Sequence, residues 1–133
     1  MIPKKVILLI EDNEDIRESI AEILELEGYH VLTASCGGMG VSLANLHIPD
    51  LVICDIVMCD MDGYTVYDSL RIQQKTKDIP FIFSTAKSEN SERLKANSMG
   101  VTNYLIKPFN DHDLMRCVDN CLKEGIITNN TIS

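Results

Sequence analysis

Short apolar runs alternate with amphipathic segments along the whole chain. Continuous apolar runs of four or five residues are typical of strands that are buried on both faces of a parallel sheet. Two runs of this kind predict strands at residues 6–10 and 51–54, and shorter or less regular runs predict three more at 31–34, 81–83 and 104–106.

Helical periodicity appears between these runs. The apolar residues Ile16, Ile20, Ile23 and Leu24 repeat at helical spacing among charged residues, and Gly28 is expected to end that helix. Weaker patterns predict helices over residues 37–46, 64–74 and 89–99.

The final helix is predicted from an apolar stripe with clear start and stop signals. Asn110 is its expected N-cap and Gly125 its expected end. The stripe consists of Leu114, Cys117, Val118, Cys121 and Leu122. Cys117 and Cys121 have the spacing of a metal pair, but their place on this stripe favours core packing.

Strict alternation of strands and helices predicts an α/β fold with a doubly wound five-stranded parallel sheet. Its crossovers are right-handed, its helices cover both faces, and a ligand crevice lies where the winding direction switches. We expect one domain at residues 1–125, followed by a polar C-terminal tail at 126–133.

Composition narrows the functional classes. The 133 residues are 45% hydrophobic and 24% charged, which is typical of one globular domain. Twenty acidic against twelve basic residues give a formal charge of -8, which disfavours binding to nucleic acid or to anionic membranes. Five cysteines, mostly in apolar stretches, and an N-terminal apolar run too short for a signal peptide favour a cytoplasmic setting.

Polar residues follow the predicted strands at their carboxyl ends. Glu11 and Asp12 follow the first strand, Asp55 the third, Thr85 the fourth and Lys107 the fifth. Because the carboxyl ends of parallel strands share one edge of the sheet, the three carboxylates are expected to crowd together. Such a cluster either shares protons or binds a hard cation, and oxygen ligands alone suit Mg²⁺.

The remaining strand-end residues suit phosphoryl transfer. Lys107 supplies a point charge for a phosphoryl oxygen and Thr85 a hydroxyl group. The nucleophile would be a carboxylate that forms an aspartyl phosphate. Asp55 alone could also be an ordinary turn acid after a strand, and it is the set of five strand-end residues that favours the chemical role.

Four segments in register extend this interpretation. VILLIEDN, LVICDIVMCDMDG, FIFSTAK and YLIKPF, over residues 4–124, resemble the receiver domain of two-component response regulators, the CheY-like family. The resemblance implies a flavodoxin-like three-layer sandwich with strand order 2-1-3-4-5.

The resemblance also implies residue roles. Asp55 would accept a phosphoryl group from a sensor histidine kinase or a phosphotransfer protein, and Thr85 and Lys107 would bind it. Thr85 and Tyr104 would act as a switch that reshapes the fourth helix, fifth strand and fifth helix for a downstream effector. The Lys107–Pro108 bond would be cis. The implied ligands of Mg²⁺ are Glu11, Asp12, Asp55 and the backbone carbonyl of Val57.

One departure from the family pattern lies in the segment after Asp55. Cys59 stands where relatives usually have proline, and we expect the loop to be looser without that ring. Asp60 and Asp62 are interpreted as solvated turn residues before Gly63.

Two other functional classes remain as alternatives. An aspartate-nucleophile phosphatase would use the same Asp, Thr and Lys, but it usually needs a second Asp where this chain has Val57. A flavodoxin-like mononucleotide binder would need a phosphate loop after the first strand, where this chain has the acidic EDNED.

The sequence leaves assembly open. We expect a monomer, with a phosphorylation-induced dimer as the alternative, because Asn103 stands where dimerising relatives often carry an acid, although Arg116 could take part. Both a stand-alone receiver and the receiver of a longer regulator fit the sequence.

Overall fold

A computed structural model describes residues 3–86, 90–101 and 103–132. In these residues ten elements alternate as predicted. They are β1 (Val6–Ile10), α1 (Glu14–Leu26), β2 (His30–Ala34), α2 (Gly37–His47), β3 (Leu51–Asp55), α3 (Gly63–Arg71), β4 (Phe81–Thr85), α4 (Asn90–Ser98), β5 (Asn103–Ile106) and α5 (Asp111–Ile132).

The strands of this described part form one parallel five-stranded sheet in the order β2-β1-β3-β4-β5. The winding therefore reverses between β1 and β3, and the predicted fold class and strand order are confirmed. In register, Ile10 lies beside Cys54, and Asp55 lies beside Ser84. The carboxyl ends of β1, β3 and β4 thus meet at one edge of the sheet.

Two apolar layers enclose the sheet. On one face, α1 and α5 pack through residues such as Leu24 and Val118 against Ile7 and Ile53. On the other face, α2, α3 and α4 form a second layer that contains Ala44, Tyr67 and Ala96. All five residues of β3 and all five of β4 are buried, which explains the apolar runs 51–54 and 81–83 within these strands.

Local signals set several helix ends. Asn13 caps α1 by accepting the Ile16 N–H, and Asn110 accepts the N–H of Asp113 at 2.7 Å as predicted. Gly28, at a φ of 99°, ends α1 in the left-handed conformation that glycine adopts without a side-chain clash.

Other boundaries differ from the prediction. The helix α5 continues to Ile132, so the predicted end at Gly125 is wrong. A glycine inside a helix costs only about 1 kcal/mol relative to alanine, which the neighbouring turns can outweigh. The helix α3 ends at Arg71 and not at the predicted residue 74. The Thr76 hydroxyl, beyond the helix, donates to the carbonyl oxygen of Leu70 in its last turn at 2.6 Å.

The predicted start of the fourth helix, residue 89, lies outside the described residues. Within the described residues, every helix is too short or too polar to cross a bilayer.

Candidate functional site

Three carboxylates meet at the end of the sheet where the winding reverses. Glu11 and Asp12 follow β1, and Asp55 is the last residue of β3. One oxygen from each residue lies within 4.8 Å of the others. Glu11 and Asp55 are 1% and 6% exposed, whereas Asp12 is exposed to solvent. The structure thus brings together the acids that the strand-end pattern placed side by side.

Lys107 lies between the two buried carboxylates. Its Nζ donates to Oε1 of Glu11 at 2.5 Å and to Oδ2 of Asp55 at 3.2 Å. The Lys107 backbone N–H donates to the Thr85 carbonyl oxygen at 2.8 Å. This bond ties the segment after β5 to the end of β4, so the ammonium group reaches across β4 to Asp55. The Lys107–Pro108 peptide bond is cis, as the resemblance implied.

Burial and charge oppose one another at this ion pair. Burial raises the pKa of the Glu11 carboxyl above its ordinary value, and hydrogen bonds from Lys107 and Asn13 only partly offset that effect. Burial alone would lower the pKa of Lys107, but its bond to Glu11 and the nearby Asp55 charge outweigh burial and raise it. The Lys107 amine therefore stays protonated. The Glu11 carboxylate is only partly stabilised by its hydrogen bonds, and a further cation would stabilise it more.

Thr85 and Tyr104 lie on the two strands beyond β3. Thr85 ends β4, is 1% exposed and pairs in register with Ile106. Tyr104 is half-buried, pairs with Phe83 and packs against the apolar layer of α2, α3 and α4. Thr85 thus lies at the edge of the acidic cluster, and Tyr104 belongs to the layer beneath it.

The segment between β3 and α3 folds back onto the end of β3. The Gly63 N–H donates to the Ile56 carbonyl oxygen at 2.7 Å, and the Val57 N–H donates to Oδ1 of Asp55 at 3.4 Å. A Cβ atom at Gly63 would lie 2.6 Å from the Asp55 carbonyl oxygen, so this close approach requires glycine. The turn holds the Val57 backbone next to Asp55.

The two turn acids have structural partners that the sequence analysis missed. Asp62 is the N-cap of α3 and accepts the Thr65 N–H at 2.8 Å. Asp60 accepts the N–H groups of Gly37 and Gly38, at the start of α2, at 2.9 and 2.8 Å. The Asp62 cap was readable as an Asp before a helix, whereas Asp60 and Gly37 lie 23 positions apart.

Among the residues that the structure describes, the cluster that could hold a metal ion contains carboxylates and no cysteine. Cys121 is buried and Cys117 packs beside it in the layer of α1 and α5, which confirms core packing for both. Cys59, at the departure from the family pattern, is exposed.

Comparison with known proteins identifies the family of this fold and acidic cluster. The family model described as the response regulator receiver domain matches residues 7–119. The chain belongs to this family. Receiver domains are signalling modules of two-component systems, so phosphorylation-dependent signalling is the general function of this one.

Individual relatives agree with that assignment. The receiver domain is 35% identical over 111 residues to a probable transcriptional regulator, ycf27, of Guillardia theta, covering 84% of this chain and 42% of the relative. It is 34% identical to the response regulator SaeR of Staphylococcus epidermidis, covering 87% and 49%. The chain thus spans about half the length of the curated relatives it matches.

A solved structure has a similar fold. The chemotaxis protein CheY4 of Vibrio cholerae superposes with a TM-score of 0.86 at 27% identity, covering 90% of this chain and all of that one.

The donor set of this receiver domain fits a magnesium ion. Mg²⁺ prefers oxygen ligands from one or two carboxylates and keeps several waters. Glu11, Asp12 and Asp55 supply carboxylate oxygens within reach of one another, and exposed Asp12 leaves a path from solvent. Burial raises the pKa of Glu11 despite its bond to Lys107, so a bound cation would stabilise the charged carboxylate further.

Proposed function

We propose that this receiver domain accepts a phosphoryl group on Asp55 from the phosphohistidine of a sensor histidine kinase or a phosphotransfer protein, in a magnesium-dependent reaction. The observation that carries the proposal is the contact of Lys107 with the two buried carboxylates, Asp55 and Glu11. The contact supports the proposal because Asp55 as nucleophile, Lys107 as cation and the proposed metal ligands would share one strand-end crevice.

The reaction is an in-line displacement at phosphorus. A carboxylate oxygen of Asp55 attacks, the phosphorus–nitrogen bond of the phosphohistidine breaks, and the imidazole nitrogen leaves with the bonding electron pair. Lys107, already 3.2 Å from Oδ2 of Asp55, donates a hydrogen bond to a phosphoryl oxygen. The Thr85 hydroxyl, at the end of the adjacent strand, binds another oxygen of the new phosphoryl group.

Magnesium would be held by Glu11, Asp12, Asp55 and the carbonyl of Val57. When bound, it supplies neutralisation of the negative charge on the phosphoryl oxygens. The chain's own contribution is to hold the carboxylates close together before the ion arrives. The Arg17 guanidinium, which donates to the Glu11 carbonyl oxygen at 2.9 Å, fixes the backbone of that segment.

The phosphodonor is proposed to dock on an apolar groove that includes Lys107. This groove of about 610 Å³ runs between α1 and the start of α5 and is lined by Ile16, Ile20, Ile23 and Phe109, among others. It gives a helical partner an apolar surface close to Asp55, because Lys107, which binds Asp55, is one of its lining residues.

We propose that phosphorylation is transmitted to the effector surface through β4 and β5. When Thr85 moves toward a phosphoryl group, its backbone partner Lys107 and the paired strand β5 must adjust, and Tyr104 lies on that strand. A groove of about 360 Å³, lined by Tyr104, Phe109 and Arg116, lies on the β5–α5 surface. We propose the surface of α4, β5 and α5 as the contact for an effector protein or output domain.

Phosphoryl labelling tests the proposal directly. Wild-type protein incubated with Mg²⁺ and acetyl phosphate should gain one phosphoryl group by intact mass, and chelation of Mg²⁺ should abolish the gain. Asp55→Asn should not be labelled. Asp62→Asn is the matched control, because asparagine also caps helices and this variant should be labelled normally. Equal labelling of Asp55→Asn would remove Asp55 from the mechanism.

The phosphatase alternative makes a different prediction. Val57 cannot act as the general acid that a phosphatase of this kind uses to protonate its leaving group. We propose that the domain catalyses only its own phosphorylation and dephosphorylation. Continuous release of phosphate from a phosphomonoester, at many turnovers per chain, would favour the phosphatase.

A further inference from the structure

The loop between β3 and α3 is fastened although it lacks the usual proline. Cys59 does not restrict the backbone as a proline ring would. At the base of this loop, Gly63 donates its N–H to Ile56 and packs on the Asp55 carbonyl group. These contacts hold the base but leave the position of the tip to other residues.

Asp60 fastens the tip to another element. Its two carboxylate oxygens accept separate N–H groups, Oδ1 that of Gly37 and Oδ2 that of Gly38. Cys36, the residue before α2, makes no side-chain capping bond, so Asp60 serves these helix-terminal donors instead. The two bonds lower the pKa of Asp60, which shows that they favour its charged form.

A packing contact adds to these hydrogen bonds. A Cβ atom at Gly37 would lie 2.3 Å from Cγ of Met61, so the Met61 side chain occupies the space that glycine leaves. The tip of the loop therefore rests on the first turn of α2 through both a carboxylate and an apolar side chain.

The helix α2 is in turn fixed against the strand that carries the other half of the acidic site. At Gly40, a Cβ atom would lie 2.3 Å from Cδ1 of Ile10, the last residue of β1. The next residue, Glu11, donates its backbone N–H to the Ala34 carbonyl oxygen at 3.0 Å, just before α2. The start of α2 thus contacts the tip of the loop after Asp55 on one side and Ile10, the residue before Glu11, on the other.

We propose that Asp60 is a positioning residue for the acidic site: through α2 it holds the loop after Asp55, which carries the Val57 carbonyl group, in place relative to the Glu11–Asp12 segment. This inference rests on the proposed function, because it assigns a purpose to that loop position, namely metal binding. Both carboxylate oxygens of Asp60 are engaged by α2, so Asp60 is not one of the proposed ligands of the metal or of the phosphoryl group.

Three substitutions separate the hydrogen bonds of Asp60 from its charge. Asp60→Ala removes both acceptors. Asp60→Asn removes the charge but keeps one acceptor oxygen. Asp78→Ala is the matched control, since it removes an equal charge from an exposed residue in the segment before β4. For each protein, the Mg²⁺ dissociation constant is measured by calorimetry without a phosphodonor, and labelling by acetyl phosphate is measured against Mg²⁺ concentration.

We expect Asp60→Ala to bind Mg²⁺ roughly tenfold more weakly, as is usual when a group that orients metal ligands is lost. Its labelling rate should approach that of the wild type once Mg²⁺ saturates the site. Asp60→Asn should regain much of the affinity, and Asp78→Ala should bind nearly as the wild type does. Alkylation of Cys59, followed by peptide mass, should be faster in Asp60→Ala because the tip is released.

Two results would overturn the inference. If Asp60→Ala binds Mg²⁺ as tightly as Asp78→Ala, the loop tip does not set the site. If Asp60→Asn is as weak as Asp60→Ala, charge rather than hydrogen bonding is responsible. Failure of the wild type itself to bind Mg²⁺ would instead overturn the proposed function, and this inference with it.

Discussion

The ammonium nitrogen of Lys107 lies 3.2 Å from Oδ2 of Asp55, a residue 52 positions earlier in the chain. The same nitrogen also binds Glu11, so one lysine compensates two carboxylates that are almost removed from solvent. A metal ion bound to this cluster would draw on the same two negative charges as Lys107. We therefore expect the lysine to stabilise the metal-free site and to oppose binding of the ion.

Replacing Lys107 should make the stability of the fold depend more strongly on Mg²⁺. Lys107→Gln is expected to lose about 2 kcal/mol of unfolding free energy without metal, because two buried carboxylates lose a charged donor. Added Mg²⁺ should stabilise this variant more than it stabilises the wild type, since the ion then has no competitor. Urea unfolding with and without Mg²⁺ measures both effects.

Lys75→Gln, at an exposed position, is the control for loss of one positive charge. The competition between Lys107 and the metal would be refuted if Mg²⁺ stabilised Lys107→Gln and the wild type by the same amount.

The link between Asp60 and α2 should weaken in acid. The folded-state pKa of Asp60 lies below its ordinary value of 3.8 because of the bonds from Gly38 and Gly37. A carboxyl group whose pKa is lower in the folded state than in the unfolded state stabilises the fold above the unfolded-state pKa. That stabilisation is lost as pH falls through the folded-state pKa. The stability advantage of the wild type over Asp60→Asn should therefore shrink below pH 3.8. Urea unfolding of both proteins across this pH range measures the effect. If the difference in their unfolding free energies did not change with pH, the charged form of Asp60 would not be what binds α2.

The apolar groove should matter for a protein donor and not for a small one. Ile16→Ala, in the groove beside Lys107, is expected to slow transfer from a phosphorylated phosphotransfer protein about tenfold, equivalent to about 1.4 kcal/mol. Labelling by acetyl phosphate should not change, because that donor needs no docking surface. Rates from both donors are followed by intact mass.

Leu26→Ala is the matched control, because Leu26 is an exposed apolar residue of α1 that does not line this groove. Equal slowing by Ile16→Ala and Leu26→Ala would show that the partner does not read the groove.

Much of this architecture was predictable because it depends on short segments. Apolar runs such as 6–10 and 51–54 are buried on both faces of the sheet, so their composition identifies them as strands. The end of α5 was not predictable in the same way, because a single Gly125 weakens a helix without breaking it. A single residue that disfavours helix acts against the helical preference of its neighbours. The sum of these free energies decides where the helix ends.

The candidate site was likewise predictable from the sequence only in part. That Glu11, Asp12, Asp55, Thr85 and Lys107 share one edge follows from the sequence, because parallel strands place their carboxyl ends together. That Lys107 binds both Glu11 and Asp55 does not follow, since it depends on how far β5 lies from β3 and on the direction of one flexible side chain.

The sequence by itself determined the order of the elements, the class of fold and the residues at the strand ends, because burial imposes a periodicity that each short segment records. Only the tertiary structure decided that Lys107 bridges two acids and that Asp60, a turn residue in the sequence, fastens its loop to α2. Both contacts join segments far apart in the chain, and their formation depends on packing distances of a few ångströms that no local pattern records.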